Sequence, residues 1–174
     1  MKFRKFNELI LTFFYVGKIK TAPGTWGSLA ASLFWLAATK ILLNFGISEL
    51  VQISFWAGLT ILAFIWALIG IRPYSLERHE FDHKSIVIDE VIGVFIAFEL
   101  AFCGIKQHLA WSPLFFGSFL FCFSVFRYLD IFKPGAIGIC DRKMKNSFGV
   151  IFDDVLCGIL AGGLTNLALQ FSTF

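Results

Sequence analysis

SIVIDEVIGVFIAFELAF, residues 85–102, is almost wholly apolar, yet Asp89 and Glu90 stand side by side near its start. Carboxylates that enter an apolar run are unfavourable there unless something neutralises their charge. The run predicts a buried or membrane-embedded helix, and the two acids mark its beginning as a candidate site.

The composition of the whole chain is typical of a membrane protein. Of its 174 residues, 57% are hydrophobic and only 16% are charged, whereas soluble domains of this size carry about 25% charged residues. Apolar runs lie at about residues 28–43, 51–71, 91–105, 109–126 and 155–171. The second run alone is clean and long enough, at about 20 residues, to span a bilayer unaided. We therefore expect an all-α, polytopic membrane helical bundle with four to five membrane-embedded helices.

The N-terminal segment MKFRKFNELILTFFYVG, residues 1–17, has a basic start and a short apolar run. No small-residue cleavage pattern follows it, and Lys18 and Lys20 interrupt the run. These features favour an amphipathic segment that lies at the membrane surface. No linker or low-complexity segment divides the chain, so we expect residues 1–174 to form a single domain.

The positions of the basic residues predict the orientation. Five of the fifteen Lys and Arg residues precede the first apolar run, three follow the second and five follow the fourth. Five alternating spans would place these thirteen on one side of the membrane and only Lys40 and Lys106 near the other. Because positively charged loops remain on the cytoplasmic side, we expect that shared side to face the cytoplasm.

Two acidic pairs occur in similar surroundings. IVIDEVIGVFIAF (86–98) and GVIFDDVLCGILAG (149–162) share an apolar lead-in, two adjacent acids and a nearby glycine, Gly93 or Gly158. Such glycines allow membrane helices to approach closely. Adjacent helical residues point about 100° apart, so each pair can offer both carboxylates to one ion only from a helix end or an interface.

A fifth acid, Asp130, lies in FRYLDIFKPG (126–135), where Arg127 and Lys133 flank it at three-residue spacings and Pro134 ends the helix. Carboxylates that converge at a membrane surface require cations, and all-oxygen ligands favour Mg²⁺, or alternatively Mn²⁺. The competing interpretation is that each pair is a solvated helix end near the N-terminal dipole. We favour a metal site formed by the five acids Asp89, Glu90, Asp130, Asp153 and Asp154.

A further element, TAPGTWGSLAASLFWL (21–36), turns at its Pro-Gly pair and begins the first apolar helix, with Thr25 or Ser28 as its cap. Exposed N–H groups at a helix start bind phosphate or carboxylate. Because every membrane helix needs a cap, this element alone is a weak indication of a phosphate site.

Four blocks occur together: APGTWGS (22–28), DHKSIVIDEVIG (82–93), FRYLDIFKPGAIG (126–138) and FDDVLCGILAG (152–162). In this order they resemble the phosphatidylglycerophosphatase A family, over nearly the whole chain. The resemblance implies magnesium-dependent hydrolysis of phosphatidylglycerophosphate to phosphatidylglycerol at the bacterial inner membrane. It also implies that the five acids are catalytic and that Lys133 contacts phosphate.

The chain departs from the family pattern at a few places. His83 stands where the family often has proline, and Cys157 stands where alanine is common. Gly135 and Ala136 replace a bulkier stretch that contains proline. None of these changes removes a carboxylate, so they affect the shape of the pocket rather than the chemistry.

Hydrolysis of a phosphomonoester requires neutralised phosphoryl oxygens and an activated water held in line. One or two magnesium ions on the acids would meet both needs. Arg127, Lys133 or Arg142 would hold the non-bridging oxygens, and Asp89 or Asp154 would act as general base. No C-x5-R, D-x-D or D-x-x-D-G pattern is present, so direct attack by an activated water fits best.

A zinc metalloprotease is one alternative, because HEFDH (79–83) matches the H-E-x-x-H pattern. On a helix, His79 and His83 would bind zinc and Glu80 would act as base. Asp82 and Lys84 place charge where such helices are usually apolar. An exposed charged loop explains the match equally well.

An ion-coupled transporter is the other alternative, because acids in membrane helices often mark ion paths. Such a protein would carry acids near mid-span, whereas only Glu99 lies deep in an apolar run. From the family resemblance we expect a phospholipid substrate and the membrane as partners, and no nucleic acid.

Overall fold

The computed structural model describes residues 2–78, 83–103, 112–144 and 146–172, and within these ranges it contains helices and turns but no strand. The helices are α1 (Lys2–Leu11), α2 (Pro23–Asn44), α3 (Glu49–Arg78), α4 (Ile88–Phe102), α5 (Pro113–Phe132), α6 (Ala136–Lys143) and α7 (Ser147–Ser172). The prediction of an all-α protein is confirmed.

Four of the described helices are long and apolar enough to cross a membrane. They are α2, α3 over Glu49–Leu76, α5, and α7 over Ser147–Phe171. The prediction of four to five membrane-embedded helices is therefore met by these four, and the molecule is a membrane protein.

The central helix is α4, which has only 15 residues. At a rise of 1.5 Å per residue it extends about 22 Å, which is less than the roughly 30 Å hydrocarbon core of a bilayer. Eleven of its residues are buried, as expected for a helix that is apolar on all sides. The stretch that starts with the acidic pair therefore forms the core around which the longer helices pack.

Glycines set the distance between α4 and α7. A Cβ at Gly158 would overlap the carbonyl oxygen of Gly93, and a Cβ at Gly162 would lie 2.5 Å from the carbonyl oxygen of Ala97. The predicted close approach at Gly93 and Gly158 is confirmed. Contact between the two backbones brings the beginnings of both helices together.

Aromatic rings fill the interior of the bundle. Trp35 stacks on Phe98 and Phe102 with ring centroids 5.0 and 5.7 Å apart. The indole nitrogen of Trp35 donates to Oε1 of Glu99 at 2.8 Å. Glu99, the acid on which the transporter alternative depends, thus takes part in a side-chain hydrogen bond within the packed bundle.

The N-terminal segment forms α1, which docks on α3. Asn7 donates from Nδ2 to the carbonyl of Gly70 at 3.0 Å, and its Oδ1 accepts from the indole of Trp66 at 3.0 Å. Phe3 and Phe6 remain 60% and 51% exposed. Their ring centroids lie 6.0 and 5.2 Å from that of Trp66, so this apolar side docks on α3 and is only partly covered, as is typical of an amphipathic surface segment.

The chain between α1 and α2 is fixed against the segment that precedes α4. It turns through three residues with positive φ, at positions 13–15, into a 3-10 turn at Val16–Lys18. Val87 donates its backbone N–H to the carbonyl of Leu11 at 3.0 Å. A Cβ at Gly17 would overlap the carbonyl oxygen of Ser85, so only glycine allows this contact.

Candidate active site

A cavity of about 260 Å³ lies where α2, α4 and α7 begin and α5 ends. We call it the acidic cavity, because its lining includes all five predicted acids: Asp89, Glu90, Asp130, Asp153 and Asp154. Pro23, Gly24, Lys84 and Lys133 also line it, together with two apolar side chains. The structure therefore brings together acids that are up to 65 positions apart in the sequence.

Three of the acids form the centre of this cluster. Asp89, Glu90 and Asp154 each offer a carboxylate oxygen, and these three oxygens lie within 4.8 Å of one another. The first two are in the first turn of α4, where the helix dipole stabilises negative charge. Asp154 lies in the second turn of α7 and reaches them because Gly93 allows close packing: a Cβ there would lie 2.6 Å from the Asp154 carbonyl oxygen.

The centre of the cluster has a surplus of negative charge. Oε2 of Glu90 and Oδ1 of Asp154 are buried and have no hydrogen-bond partner in the part of the chain that the structure describes. Burial and, after it, the negative charge of Asp154 raise the pKa of Glu90 to about 8. A bound cation would relieve both effects, and a set of carboxylate oxygens is suited to a hard divalent ion. The residues present therefore fit a metal site.

Asp130 is held by Arg127, which lies one turn earlier in α5, through a short ion pair. The guanidinium also donates from Nη2 to Oγ1 of Thr25 at 2.9 Å and from Nη1 to Oγ of Ser28 at 3.1 Å. The predicted capping role of these two hydroxyls is wrong, because α2 begins at Pro23 and its N-cap makes no side-chain hydrogen bond. Their hydroxyls orient Arg127, and Arg127 orients Asp130.

Asp153 is buried and forms a short ion pair with Lys133. The sequence predicts that Lys133 flanks Asp130 on the same helix, but Lys133 caps the C-terminus of α5 in a left-handed conformation with φ of 43°. Pro134 follows, so the helix ends where the sequence predicts. Lys133 thereby carries a positive charge into the acidic cavity, whereas Arg142 on α6 is exposed and is not among the lining residues that the structure describes.

Sequence reasoning missed two residues of the acidic cavity. Gly24 leaves room for a carboxylate, because a Cβ there would overlap Oε1 of Glu90. Lys84 lines the cavity, although in the sequence it counted only as one of many basic residues. The one signal in the sequence for Lys84 was its position five residues before Asp89. Nothing in the sequence indicated that Gly24 would lie beside Glu90.

The described residues give no support to the zinc-site interpretation of the H-E-x-x-H match. His79 and Glu80 lie outside the described residues. His83 is not helical; its Nδ1 accepts from the backbone N–H of Ser85 at 3.2 Å and lies 2.8 Å from the Ser85 hydroxyl. His83 thus takes part in a local hydrogen-bond network beside the acidic cavity.

Comparison with known proteins identifies a family model and two relatives that share one description. A family model described as Phosphatidylglycerophosphatase A matches residues 9–169. Phosphatidylglycerophosphatase A of Haemophilus influenzae is 35% identical over 154 residues, 88% of this chain and 83% of that protein. The protein of the same name from Escherichia coli is 29% identical over 160 residues, 90% of this chain and 80% of that protein.

A Bacteroides thetaiotaomicron protein, whose name proposes a phosphatidylinositol-3-phosphatase, is 33% identical over 158 residues. The match covers 87% of this chain and 86% of that protein. No solved structure matches the chain.

Proposed function

Since the chain belongs to the phosphatidylglycerophosphatase A family, we propose that it is a magnesium-dependent phosphatase that converts phosphatidylglycerophosphate to phosphatidylglycerol and phosphate in phospholipid synthesis. The main observation in support of this proposal is the acidic cavity, in which five carboxylates meet and three offer oxygens within 4.8 Å of one another. The family match over residues 9–169 also supports treating residues 1–174 as one domain.

In this proposal Asp89, Glu90 and Asp154 hold Mg²⁺, with Asp130 and Asp153 beside them. When bound, such an ion would neutralise charge on the phosphoryl oxygens and increase the acidity of a water. The buried, unpartnered oxygens of Glu90 and Asp154 support this assignment, because buried carboxylates without compensation are strongly disfavoured.

The chain's own residues supply the remaining chemistry. Lys133, whose side chain is about 30% exposed at the acidic cavity, donates to the phosphoryl oxygens as charge builds up on them. Asp89 or Asp154 would accept the proton of the attacking water at a carboxylate oxygen that does not hold the ion. Arg127 with Thr25 and Ser28 keeps Asp130 in place, so these three residues act on phosphate through the acid that they position.

We place the enzyme in the bacterial inner membrane with the acidic cavity toward the cytoplasm. Four helices of membrane-spanning length and two bacterial relatives support a membrane location. The acidic cavity lies at the ends of the helices where thirteen of the fifteen Lys and Arg residues cluster in the sequence, and positive charge favours the cytoplasmic side.

A substrate panel with metal replacement tests the proposal. Purified protein in detergent micelles should release phosphate from phosphatidylglycerophosphate, lose activity in a chelator and regain it with Mg²⁺ or Mn²⁺, because the ligands are all carboxylates. Phosphatidate, lysophosphatidate and phosphatidylinositol 3-phosphate complete the panel, the last because of the Bacteroides relative. Full activity in chelator, or recovery with Zn²⁺ alone, would contradict the oxygen-ligand site.

A further inference from the structure

A second cavity, of about 310 Å³, adjoins the acidic cavity and shares Pro23 and Lys84 with it. We call it the basic cavity, because its charged lining consists of three lysines and one acid: Lys18, Lys20, Lys84 and Glu8. We propose that it binds the phosphodiester group of the lipid headgroup while the terminal phosphomonoester lies in the acidic cavity. This inference rests on the proposed function and specifies which lipid phosphates the site selects.

The charges of the basic cavity favour an anion. Nζ of Lys18 lies 2.9 Å from Oε1 of Glu8, so this acid balances one lysine. Lys20 and Lys84 leave an excess of two positive charges among the lining side chains. Both are exposed, so a headgroup can reach them, and a lysine ammonium binds phosphate as a compact point charge.

The walls of the basic cavity are held by defined contacts. The hydroxyl of Tyr74 lies 2.7 Å from that of Ser85, which in turn lies 2.8 Å from Nδ1 of His83. All three residues line the cavity, and Tyr74 and Ser85 are buried. The contact of Gly17 with Ser85 fixes the lysine-bearing turn against this wall. The lysines therefore project from a supported surface.

The chemistry of the proposed substrate matches two adjoining cavities of opposite charge. In phosphatidylglycerophosphate one glycerol unit joins the phosphodiester to the terminal phosphomonoester. The shared wall at Pro23 and Lys84 keeps the two cavities next to each other. Phosphatidate carries a phosphomonoester but no phosphodiester, so it would leave the basic cavity empty. The arrangement predicts selection of headgroups that carry both groups.

The test compares Lys20→Gln with the matched control Lys40→Gln. Lys20 lies just before the start of α2, whereas Lys40 lies near the end of that helix. A contact to a non-reacting group contributes equally to the ground and transition states, so its loss raises KM and leaves kcat unchanged. We expect KM for phosphatidylglycerophosphate to rise about tenfold in Lys20→Gln, because the variant keeps a polar side chain but loses the charge-assisted hydrogen bond to the phosphodiester. For phosphatidate, kcat/KM should stay within about twofold, and Lys20→Arg should restore most of the affinity.

The two substrates distinguish failure of the phosphodiester site from failure of the proposed function. Equal loss on both substrates, or an unchanged KM for phosphatidylglycerophosphate, would overturn the inference and leave the proposed function intact. Failure of the unmodified protein to hydrolyse phosphatidylglycerophosphate would instead overturn the proposed function. The assay uses neutral detergent micelles with and without added phosphatidylserine. An effect of Lys20→Gln that appears only with phosphatidylserine would mean that the cavity binds a neighbouring lipid, and would also overturn the inference.

Discussion

Asp153 and Asp154 are neighbours in the sequence but have different surroundings. Asp153 faces Lys133 in an ion pair, whereas Asp154 faces Asp89 and Glu90. Adjacent positions on α7 point about 100° apart, so one acid meets the end of α5 and the other meets the start of α4. We therefore expect separate roles for the two acids, Asp153 toward the lysine that it pairs with and Asp154 toward the proposed metal ion.

We predict that Asp154→Asn and Asp89→Asn each lower activity by about a thousandfold, because each removes a charge that balances the proposed magnesium ion. At about 1.4 kcal/mol per tenfold in rate, this corresponds to a loss of about 4 kcal/mol of transition-state stabilisation. Both variants should fold, because neutralising a buried acid removes a desolvation penalty. Phosphate release and elution by size exclusion measure the two effects. His79→Ala is the control and should stay within a few-fold; its inactivation together with active asparagine variants would revive the zinc interpretation.

The five acids of the acidic cavity could be predicted from residue types, but the pairing inside the cavity could not. Two acidic pairs and Asp130 pointed to one site because charged residues in apolar helices need one another. That Lys133 pairs with Asp153 and not with Asp130 depends on how α5 meets α7. The space that Gly24 leaves for Glu90 likewise exists only after α2 has packed against α4.

At the level of helices, hydropathy located the elements better than it located their ends. The apolar run at 109–126 predicts the core of α5, but the helix continues to Phe132, and Pro134 rather than hydropathy predicts this end. The added turns contain Arg127 and Asp130, whose charges satisfy each other and the hydroxyls of α2. A hydropathy average scores each residue separately and does not include such pairing, so it places the end of the helix too early.

The crossing of α4 and α7 gives a prediction about packing. Gly158→Ala should strongly destabilise the protein and abolish activity, because the new Cβ would overlap backbone atoms of Gly93, which have no rotamer to change. Gly163→Ala is the matched control on the same helix, with no atom within 4 Å of the new Cβ. It should retain activity and gain up to about 1 kcal/mol of helix propensity.

Thermal unfolding in detergent and phosphate release would be measured for both alanine variants. Equal behaviour of Gly158→Ala and Gly163→Ala would show that the close approach of the two helices is not required.

At the scale of the whole molecule, the one-sided distribution of basic residues predicts the orientation. In a background with Cys103 and Cys140 replaced by serine, we expect Ser147→Cys to resist an impermeant thiol reagent added outside intact cells and to react after permeabilisation. Phe45→Cys, in the turn between α2 and α3 where the native side chain is 78% exposed, should react from outside. The opposite labelling pattern would reverse the proposed topology.

The depth of Asp154 along α7 has a consequence for how substrate arrives. This acid lies seven residues after Ser147, about 10 Å along the axis of a helix that is long enough to cross a bilayer. In the proposed orientation the reacting phosphate enters the acidic cavity from the cytoplasmic headgroup layer, so we expect the substrate to react without leaving its leaflet. Encounter becomes a two-dimensional search governed by the substrate's mole fraction in the leaflet, with inorganic phosphate as the one product that departs into water.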